Sequence, residues 1–354
     1  MAGPACSRSM GGRMSTKPSI RFAAIGMNHG HIYGQVDLLL RAGAELVSFY
    51  APEVELAAEF SRRYPQAHAA RSASEILEDK SIQMVVSAAI PDERGPLGVE
   101  VMRHGKDYMS DKPAFTTLDQ LAKARQVQAE TGRIFSVCYS ERLENSATVR
   151  AGELARAGAI GKVVQTIGMG PHRTTLATRP AWFFQRERYG GILTDIAAHQ
   201  MDQFLYFTSA TSAEVVSAQV ANYKHPQHPG LEDFGEALLR SDGATGYVRV
   251  DWYTPDGLDV WGDGRLFVLG TEGYMEIRKY TDLRGRIGGN HLLWVDAHGM
   301  HYEDCTGGDL PYGRQLIQDV LERSETAMSQ AHCFLAMELA LKAEAKAARL
   351  GNLC

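Results

Sequence analysis

Residues 20–31 have the sequence IRFAAIGMNHGH, a short apolar run that ends in a glycine and a polar turn. The run predicts a buried β-strand over Ile20–Ile25, and apolar residues at helical spacing after the turn predict that a helix follows. A strand, a tight turn and a helix open the folds that bind dinucleotides, with the fingerprint G-x-G-x-x-G. In this register only Gly26 is present, because Asn28 and His31 occupy the other two glycine positions.

The turn keeps part of the chemistry that a dinucleotide needs. Gly26 can supply the sharp turn, and Asn28 is the residue next most tolerant of a left-handed backbone. His31 is bulky where a glycine normally permits close packing of the helix against the strand. The N-terminus of the helix still offers free N–H groups and a positive dipole end to a phosphate. We therefore expect Gly26, Asn28, His29, Gly30 and His31 to contact NAD or NADP. An ordinary strand-to-helix turn is the alternative.

The end of the second predicted strand bears on the choice of cofactor. A carboxylate there normally accepts the ribose hydroxyls. In this chain Tyr50 and Ala51 occupy that point, and Glu53 follows two positions later. We expect Ala51 to lie near the ribose, and the choice between NAD and NADP stays open. Pro91, Asp111 and Lys112, near the ends of later strands, complete the predicted cofactor contacts.

Strands and helices alternate through the N-terminal part of the chain, which predicts a parallel sheet with right-handed crossovers. The predicted strands are Ile20–Ile25, Glu45–Tyr50, Gln83–Ile90, Asp107–Ser110 and Ile134–Val137. The predicted helices are Gln35–Ala42, Val54–Tyr64, Ser74–Leu77, Leu97–His104 and Leu118–Thr131. We expect an α/β protein in which residues 19–140 form a Rossmann-type, doubly wound parallel sheet.

The remainder, residues 141–354, is predicted to form a substrate-binding and oligomerisation domain of the α/β class. Consecutive strands separated by turn signals indicate an open, mainly antiparallel sheet. The predicted strands are Val163–Met169, Glu214–Asn222, Phe234–Arg240, Gly246–Trp252, Arg265–Leu269, Gly273–Arg278 and His291–Val295. The predicted helices are Ser146–Ala157, Leu193–Phe207, Arg314–Glu322 and Ala331–Leu350.

Composition limits the classes of partner. The 354 residues carry a formal net charge of −5, which disfavours nucleic acid and anionic membranes as partners. The five cysteines are scattered without a C-x-x-C spacing, as in a reduced, cytoplasmic protein. Residues 1–18 have the composition of a disordered tail, and either Met1 or Met14 can be the initiator. His225 and His228 are interleaved with prolines, so we expect no metal site.

Two separated motifs resemble one enzyme family. Residues 105–113, GKDYMSDKP, resemble the G-K-h-v-h-x-E-K-P motif of the family of glucose–fructose oxidoreductase, inositol dehydrogenase and the rhizopine-catabolism oxidoreductases (Gfo/Idh/MocA), with an Asp in the Glu position. Residues 190–202, GGILTDIAAHQMD, resemble its G-G-x-x-x-D-x-x-x-H-x-x-D motif. The resemblance covers the chain from about residue 20 onward. It implies a Rossmann domain, an open mixed sheet with helices on one face, and a homodimer or homotetramer.

The matched residues also suit the oxidation of a secondary alcohol, in which the cofactor takes a hydride and the protein takes a proton. Lys112 lies at a strand end, where an ammonium can polarise the hydroxyl. Asp195 and His199 are four residues apart and are expected on one face of a continuous helix. There Asp195 would orient the imidazole of His199 and hold its pKa near or above about 6.5. We expect Lys112, Asp195 and His199 to be catalytic. Asp202 could be structural only.

The loop over residues 170–189 is rich in side chains that suit a polar ligand. An indole can cover the apolar face of a sugar ring, and basic side chains offer hydrogen-bond donors. The alternative is a surface loop pinned to the core by its aromatic residues. The predicted substrate contacts are His172, Arg173, Arg179, Trp182 and Arg186.

These observations predict an NAD(P)-dependent dehydrogenase that acts on a secondary hydroxyl of a sugar, inositol or related polyol. The reverse direction, reduction of a keto sugar or an imine, stays open. A second alternative is a non-catalytic sensor or scaffold that kept the fold and lost the cofactor, which the departures at Asn28, His31 and Ala51 would favour. Lys112, Asp195 and His199 oppose that alternative.

Overall fold

The computed structural model describes residues 19–351 of the chain. The predicted tail, residues 1–18, and the alternative start at Met14 lie outside the described residues. Two sheets carry the fold, and both were predicted. Within residues 19–351, no helix combines the length and the apolar composition that a bilayer-spanning segment requires.

The first sheet is parallel and has the strand order β3-β2-β1-β4-β5-β6. Its strands are β1 (Arg21–Ile25), β2 (Glu45–Tyr50), β3 (His68–Ala69), β4 (Met84–Ser87), β5 (Asp107–Asp111) and β6 (Phe135–Cys138). Its helices are α1 (His31–Arg41), α2 (Val54–Arg63), α3 (Ala73–Glu78), α4 (Pro91–Arg103) and α5 (Leu118–Thr131). The strand order reverses between β1 and β4, and ligands of such sheets bind outside the carboxyl ends of the strands at that point.

The second sheet has nine strands in the order β14-β13-β12-β11-β7-β10-β9-β8-β15. The strands are β7 (Val163–Pro171), β8 (Glu214–Ala221), β9 (Phe234–Arg240), β10 (Thr245–Asp251), β11 (Arg265–Gly270), β12 (Tyr274–Arg278), β13 (His291–Asp296), β14 (Gly299–Asp304) and β15 (Ala348–Leu350). All neighbouring pairs are antiparallel except β7–β10 and β8–β15.

Seven helices accompany the second sheet among the described residues. They are α6 (Ser140–Leu143), α7 (Ser146–Arg156), α8 (Arg186–Tyr189), α9 (Ile192–Asp195), α10 (Ala198–Thr208), α11 (Tyr312–Glu322) and α12 (Gln330–Lys346). Along β10, Gly246, Val248 and Val250 are buried, and Gly246 leaves room for the ring of Phe204 on α10. Successive side chains of a strand point to opposite faces of the sheet. The buried residues of β10 therefore lie on the face that the helices cover.

The last helices return to the first sheet. The hydroxyl groups of Tyr312 and Ser136 are 2.5 Å apart, and the Gln330 amide oxygen accepts a hydrogen bond from the backbone N–H of Phe135. Arg323 pairs with Asp107 at the start of β5. The C-terminal segment therefore holds the two sheets together, and the predicted domain boundary at residue 140 stays a prediction.

Several predicted element bounds were wrong. Helix α1 begins at His31 rather than at Gln35, directly after the turn. Helix α12 ends at Lys346, because the backbone of Ala347 is extended and residues 348–350 pair with β8. Strands β3 and β14 were not predicted. The expected helix over Leu193–Phe207 is interrupted by a turn at Ile196 and Ala197.

Candidate active site

A cavity of about 480 Å³ lies where the carboxyl ends of the first sheet face β7 and β10 of the second sheet. We refer to this space as the cavity. Ten residues that the sequence singled out line it together, although they come from five separate segments. They are His29, His31, Pro91, Lys112, His172, Arg173, Arg179, Trp182, Asp195 and His199.

A buried ion pair forms one wall of the cavity. Lys112 follows β5, and its Nζ donates a hydrogen bond of 2.8 Å to Oδ1 of Asp195 at the end of α9. The side chains of Lys112 and Asp195 are 6% and 15% exposed. Such a pair, kept from bulk water, interacts far more strongly than a surface pair. It places an ammonium group at the cavity wall in a fixed orientation.

Arg94 of α4 fixes the strand end that carries Lys112. Its guanidinium donates hydrogen bonds to the carbonyl oxygens of Ala89, Lys112 and Pro113, at 2.6–3.1 Å. It also lies 3.1 Å from Oδ2 of Asp111. Arg94 is 1% exposed, so these partners compensate for the loss of its hydration. Arg94 was not predicted as a site residue, and the predicted start of its helix at Leu97 was wrong, since α4 begins at Pro91.

The histidines of the first turn point toward the same carboxylate. Nδ1 of His31 is 2.9 Å from Oδ1 of Asp111, and Nδ1 of His29 is 3.6 Å from Oδ2. Burial alone would raise the pKa of Asp111, but the charges of His31 and Arg94 hold it well below its usual value. The bulk of His31 does not enter the contact between helix and strand, because its side chain is 44% exposed and turned to Asp111.

The turn over residues 26–30 fits a dinucleotide phosphate. Gly26 has φ +76°, and a Cβ on it would lie 2.6 Å from Cβ of Ala89, so no other residue fits there. A Cβ on Gly30 would meet no atom within 4 Å, which leaves space for a ligand over the N-terminus of α1. The expected left-handed conformation at Asn28 is absent; instead its Nδ2 donates a hydrogen bond of 2.7 Å to Glu53.

The predicted pairing of Asp195 with His199 is wrong. Asp195 ends α9, the helix is interrupted at the next two residues, and the Asp195 carboxylate accepts from Lys112 instead. Burial and the nearby Lys112 charge lower the pKa of His199 to about 3, although Glu141 opposes them. The pKa expected from Asp195, near or above 6.5, is therefore also wrong. Nδ1 of His199 is buried and has no partner in residues 19–351.

A second buried ion pair supports the floor of the cavity. Nζ of Lys279 donates to Oε2 of Glu141 at 2.6 Å and to Oε1 of Gln203 at 2.8 Å. Burial would raise the pKa of Glu141, but the Lys279 charge lowers it to about 2. Oε1 of Glu141 is buried and has no partner among the described residues. Glu141 was not predicted as a site residue, although its position just after β6, at the carboxyl edge of the sheet, was a signal.

Aromatic rings form the opposite wall. The ring of His172 lies between Trp252 and Trp261, with centroid distances of 5.4 and 4.4 Å, and burial lowers its pKa to about 4. Arg173 donates to the carbonyl oxygens of Pro255, Leu258 and Val260, so it fastens the loop that carries Trp261. Trp252 and Trp261 were also missed, since their neighbours in sequence carry no motif.

Arg186 and Ala51 do not reach the cavity. Arg186 was predicted to bind substrate, but its guanidinium pairs with the buried carboxylates of Glu232 and Glu344 at 3.0 and 2.7 Å. Asp202 is structural, since Arg142 binds both of its oxygens and His332 contacts one. Gly26, Asn28, Gly30 and Ala51 belong to the neighbouring turn and strand end rather than to the cavity lining.

One group of described residues has the composition of a metal site. Candidate ligand atoms of His29, His31 and Asp111 lie within 4.8 Å of one another. The Arg94 guanidinium occupies one side of the Asp111 carboxylate, and a divalent cation there would face its charge. The absence of a metal therefore stays a prediction.

Comparison with family models gives two adjacent matches. Residues 20–139 match the model described as an oxidoreductase family with an NAD-binding Rossmann fold. Residues 148–276 match the GFO/IDH/MocA C-terminal domain. Together the two matches cover the first sheet, strands β7–β11 and part of β12 of the second sheet, and more than half of the chain.

Two solved structures have the same fold at different sequence identities, and one further relative matches in sequence over part of the chain. An oxidoreductase structure from Erwinia carotovora atroseptica is 47% identical, with a TM-score of 0.91 over 94% of this chain and 100% of that chain. A levoglucosan dehydrogenase in complex with NADH and levoglucosan is 18% identical, with a TM-score of 0.75 over 93% of this chain and 96% of that chain. A D-xylose dehydrogenase of Paenarthrobacter nicotinovorans is 22% identical over 58% of this chain, a match that spans about half (52%) of that relative.

Proposed function

Because this chain belongs to the GFO/IDH/MocA family of NAD-binding oxidoreductases, we propose that it oxidises a secondary hydroxyl of a sugar, inositol or related polyol. The observation that carries the proposal is the Lys112–Asp195 ion pair, at 2.8 Å, in the wall of a cavity that also includes His29 and His31 of the dinucleotide turn. The relatives named as dehydrogenases of xylose and levoglucosan support the substrate class.

The lining of the cavity suits a polyhydroxylated ligand. Oε1 of Glu141, Nδ1 of His199 and Nε1 of Trp252 are buried without partners among the described residues. Buried polar atoms are normally hydrogen-bonded, so three orphans around one cavity indicate a ligand that carries several donors and acceptors. Trp182 and Trp261 offer apolar surface to the C–H face of a sugar ring.

In this proposal the Lys112–Asp195 pair moves the proton. Nicotinamide, when bound, supplies the hydride acceptor. As the substrate hydroxyl gives its proton to Nζ of Lys112, the proton shared in the hydrogen bond passes to Oδ1 of Asp195, and the alkoxide is left beside an ammonium. Reduction of a ketone runs through the same steps in reverse. His199, neutral at pH 7, is better suited to orient the hydroxyl by a hydrogen bond than to accept its proton, because the best base has a pKa near the working pH.

The turn residues support NAD rather than NADP as the cofactor. The Glu53 carboxylate, two residues after Ala51, is held by Asn28, and its Oε2 is buried without a partner in residues 19–351. A carboxylate at this point accepts hydrogen bonds from ribose hydroxyls and repels a 2′-phosphate. Titration of both reduced cofactors, followed by their fluorescence, tests this. Tighter binding of NADPH would contradict it.

A turnover screen tests the proposed function. Purified protein is incubated with NAD or NADP and a panel of sugars, inositols and polyols, and cofactor reduction is followed by absorbance. We expect turnover with at least one compound, and loss of that turnover in Lys112→Met. Binding of reduced cofactor without turnover of any alcohol, or of the matching ketones with reduced cofactor, would contradict a dehydrogenase. No cofactor binding at all would favour the sensor or scaffold.

The second sheet also supports the predicted homodimer or homotetramer. Its face away from the helices exposes Leu238, Leu269 and Tyr274, at 38–52% of their surface. Apolar side chains gathered on one open sheet face are typical of a contact between subunits. Mass measurement by light scattering tests the assembly, and a monomer at micromolar concentration would contradict it.

A further inference from the structure

Arg179 is a half-buried cation that no carboxylate neutralises within residues 19–351. Its guanidinium carbon lies 4.3 Å from the ring centroid of Phe183 and 4.9 Å from that of Trp252. Nε donates to the Thr174 carbonyl oxygen at 2.7 Å, and Nη2 makes a long contact of 3.4 Å with the Arg173 carbonyl oxygen. Nη1 makes no hydrogen bond with the described chain, and the side chain lines the cavity.

The other arginines of the region are each matched by an acid. Arg94 faces Asp111 at 3.1 Å, and Arg173 faces Asp256 at 3.5 Å. Arg186 binds two glutamates. The ring contacts of Arg179 offset only part of the cost of its desolvation, and burial lowers the pKa of its guanidinium. Asp195, whose charge opposes that shift, is already bonded to Lys112.

The lysines at the wall and the floor of the cavity are each matched by an acid. Lys112 is matched by Asp195, and Lys279 by Glu141. His172 and His199 are neutral at pH 7, because burial lowers their pKa values to about 4 and about 3. Among the lysines and arginines that line the cavity, Arg179 is therefore the one without a carboxylate partner within residues 19–351.

We propose that the substrate carries a carboxylate, bound by Arg179, in addition to the hydroxyl that is oxidised, so that the substrate class is a sugar acid or polyol acid. This inference rests on the proposed function. A carboxylate is planar, and two N–H groups on one edge of a guanidinium match its two oxygens. The aromatic rings of Phe183 and Trp252 hold the guanidinium plane in place before the ligand arrives. A phosphate dianion would need a second free cation.

The test compares ligands that share a polyol chain and differ at one terminal group. D-gluconate and D-galactonate are paired with D-glucitol and galactitol, and D-glucitol 6-phosphate represents a phosphate. Dissociation constants are measured by calorimetry in the presence of saturating reduced cofactor, so turnover is not required. The variants are Arg179→Met, Arg179→Lys and the control Arg188→Met, which removes a similarly half-buried arginine that pairs with Asp92 and Glu93 outside the cavity.

We expect at least one aldonate to bind about 10- to 100-fold more tightly than its alditol, the gain of one charge-assisted contact. Arg179→Met should abolish this preference, Arg179→Lys should retain part of it, and Arg188→Met should retain it fully. Equal binding of acid and alditol, an unchanged preference in Arg179→Met, or tighter binding of the phosphate would each overturn the proposal. Turnover of neutral polyols with no effect of Arg179→Met would overturn it and leave the dehydrogenase standing. Arg179-dependent binding of the acid without any turnover would support the carboxylate site and contradict the dehydrogenase.

Discussion

The two walls of the cavity differ in how their charges are balanced. On the wall built from the first sheet and α9, Lys112 is bonded to Asp195, and on the floor Lys279 is bonded to Glu141. On the aromatic wall Arg179 has ring contacts but no acid partner among the described residues. A charge that is bonded to an opposite charge of the protein keeps its position without a ligand. A charge without such a partner gains one only when a ligand of opposite charge binds. The first wall is therefore suited to chemistry and the second to recognition.

The largest effect on stability should come from breaking the Lys279–Glu141 ion pair at the floor of the cavity. Lys279→Met leaves Glu141 buried without its cation and should lower the free energy of unfolding by about 3–5 kcal/mol. Denaturant unfolding of the full chain measures this. The double variant Lys279→Met with Glu141→Gln should recover part of the loss, since no unpaired charge remains. Equal losses in the single and double variants would show that the Glu141–Lys279 pairing is not what matters.

The largest effect on turnover should come from the first wall. Lys112→Met should reduce kcat by about 100-fold or more, because the alkoxide loses its positioned ammonium. Cofactor affinity should change little, as the turn over residues 26–30 is untouched. Steady-state rates on the substrate found in the screen give the comparison. Asp195→Asn keeps the shape of the pair without the proton acceptor, and wild-type rates in either variant would remove the pair from the proposed chemistry.

His199 should shape the acid sensitivity of the fold rather than the pH profile of the rate. Its folded pKa, about 3, lies below the unfolded value of about 6.5, so the unfolded chain binds more protons between these values and stability falls as the pH drops. From about pH 8 to about pH 5 this costs about 2 kcal/mol. His199→Gln should therefore show a shallower loss over this range in unfolding curves. Parallel pH dependence in the two proteins would contradict the low pKa.

The smallest effect on stability should come from the aromatic wall. Arg179→Met exchanges an unpaired cation for an apolar side chain that can keep the contacts with Phe183 and Trp252. The free energy of unfolding should stay within about 1 kcal/mol of wild type. Thermal and denaturant unfolding without ligand measure it. A loss comparable to that of Lys279→Met would mean that Arg179 holds the fold together and that the contrast between the walls does not exist.

Local patterns predicted most of the elements. Helix α5 has the predicted bounds Leu118–Thr131, because Thr117 caps its start and Gly132 its end. Strand β9 has its predicted bounds for a similar reason, with alternating burial between turns. The break between Asp195 and His199 was not predictable, since residues 192–208 have a continuous helical pattern in sequence. The observed turn at Ile196 and Ala197 depends on what packs around it.

The sequence by itself determined the two-sheet architecture, the strand end that presents Lys112 and the loop that carries Arg179, because these depend on short-range periodicity and on turn residues. Only the tertiary structure decided which charges meet. Lys112 and Asp195 are 83 positions apart and Glu141 and Lys279 are 138 apart, so no local pattern relates them. The tertiary structure also placed Arg186 outside the cavity, where it pairs with Glu232 and Glu344. It left Arg179 without a carboxylate partner within residues 19–351. The physical reason is that an ion pair depends on distance and desolvation in three dimensions, which spacing along the chain does not encode.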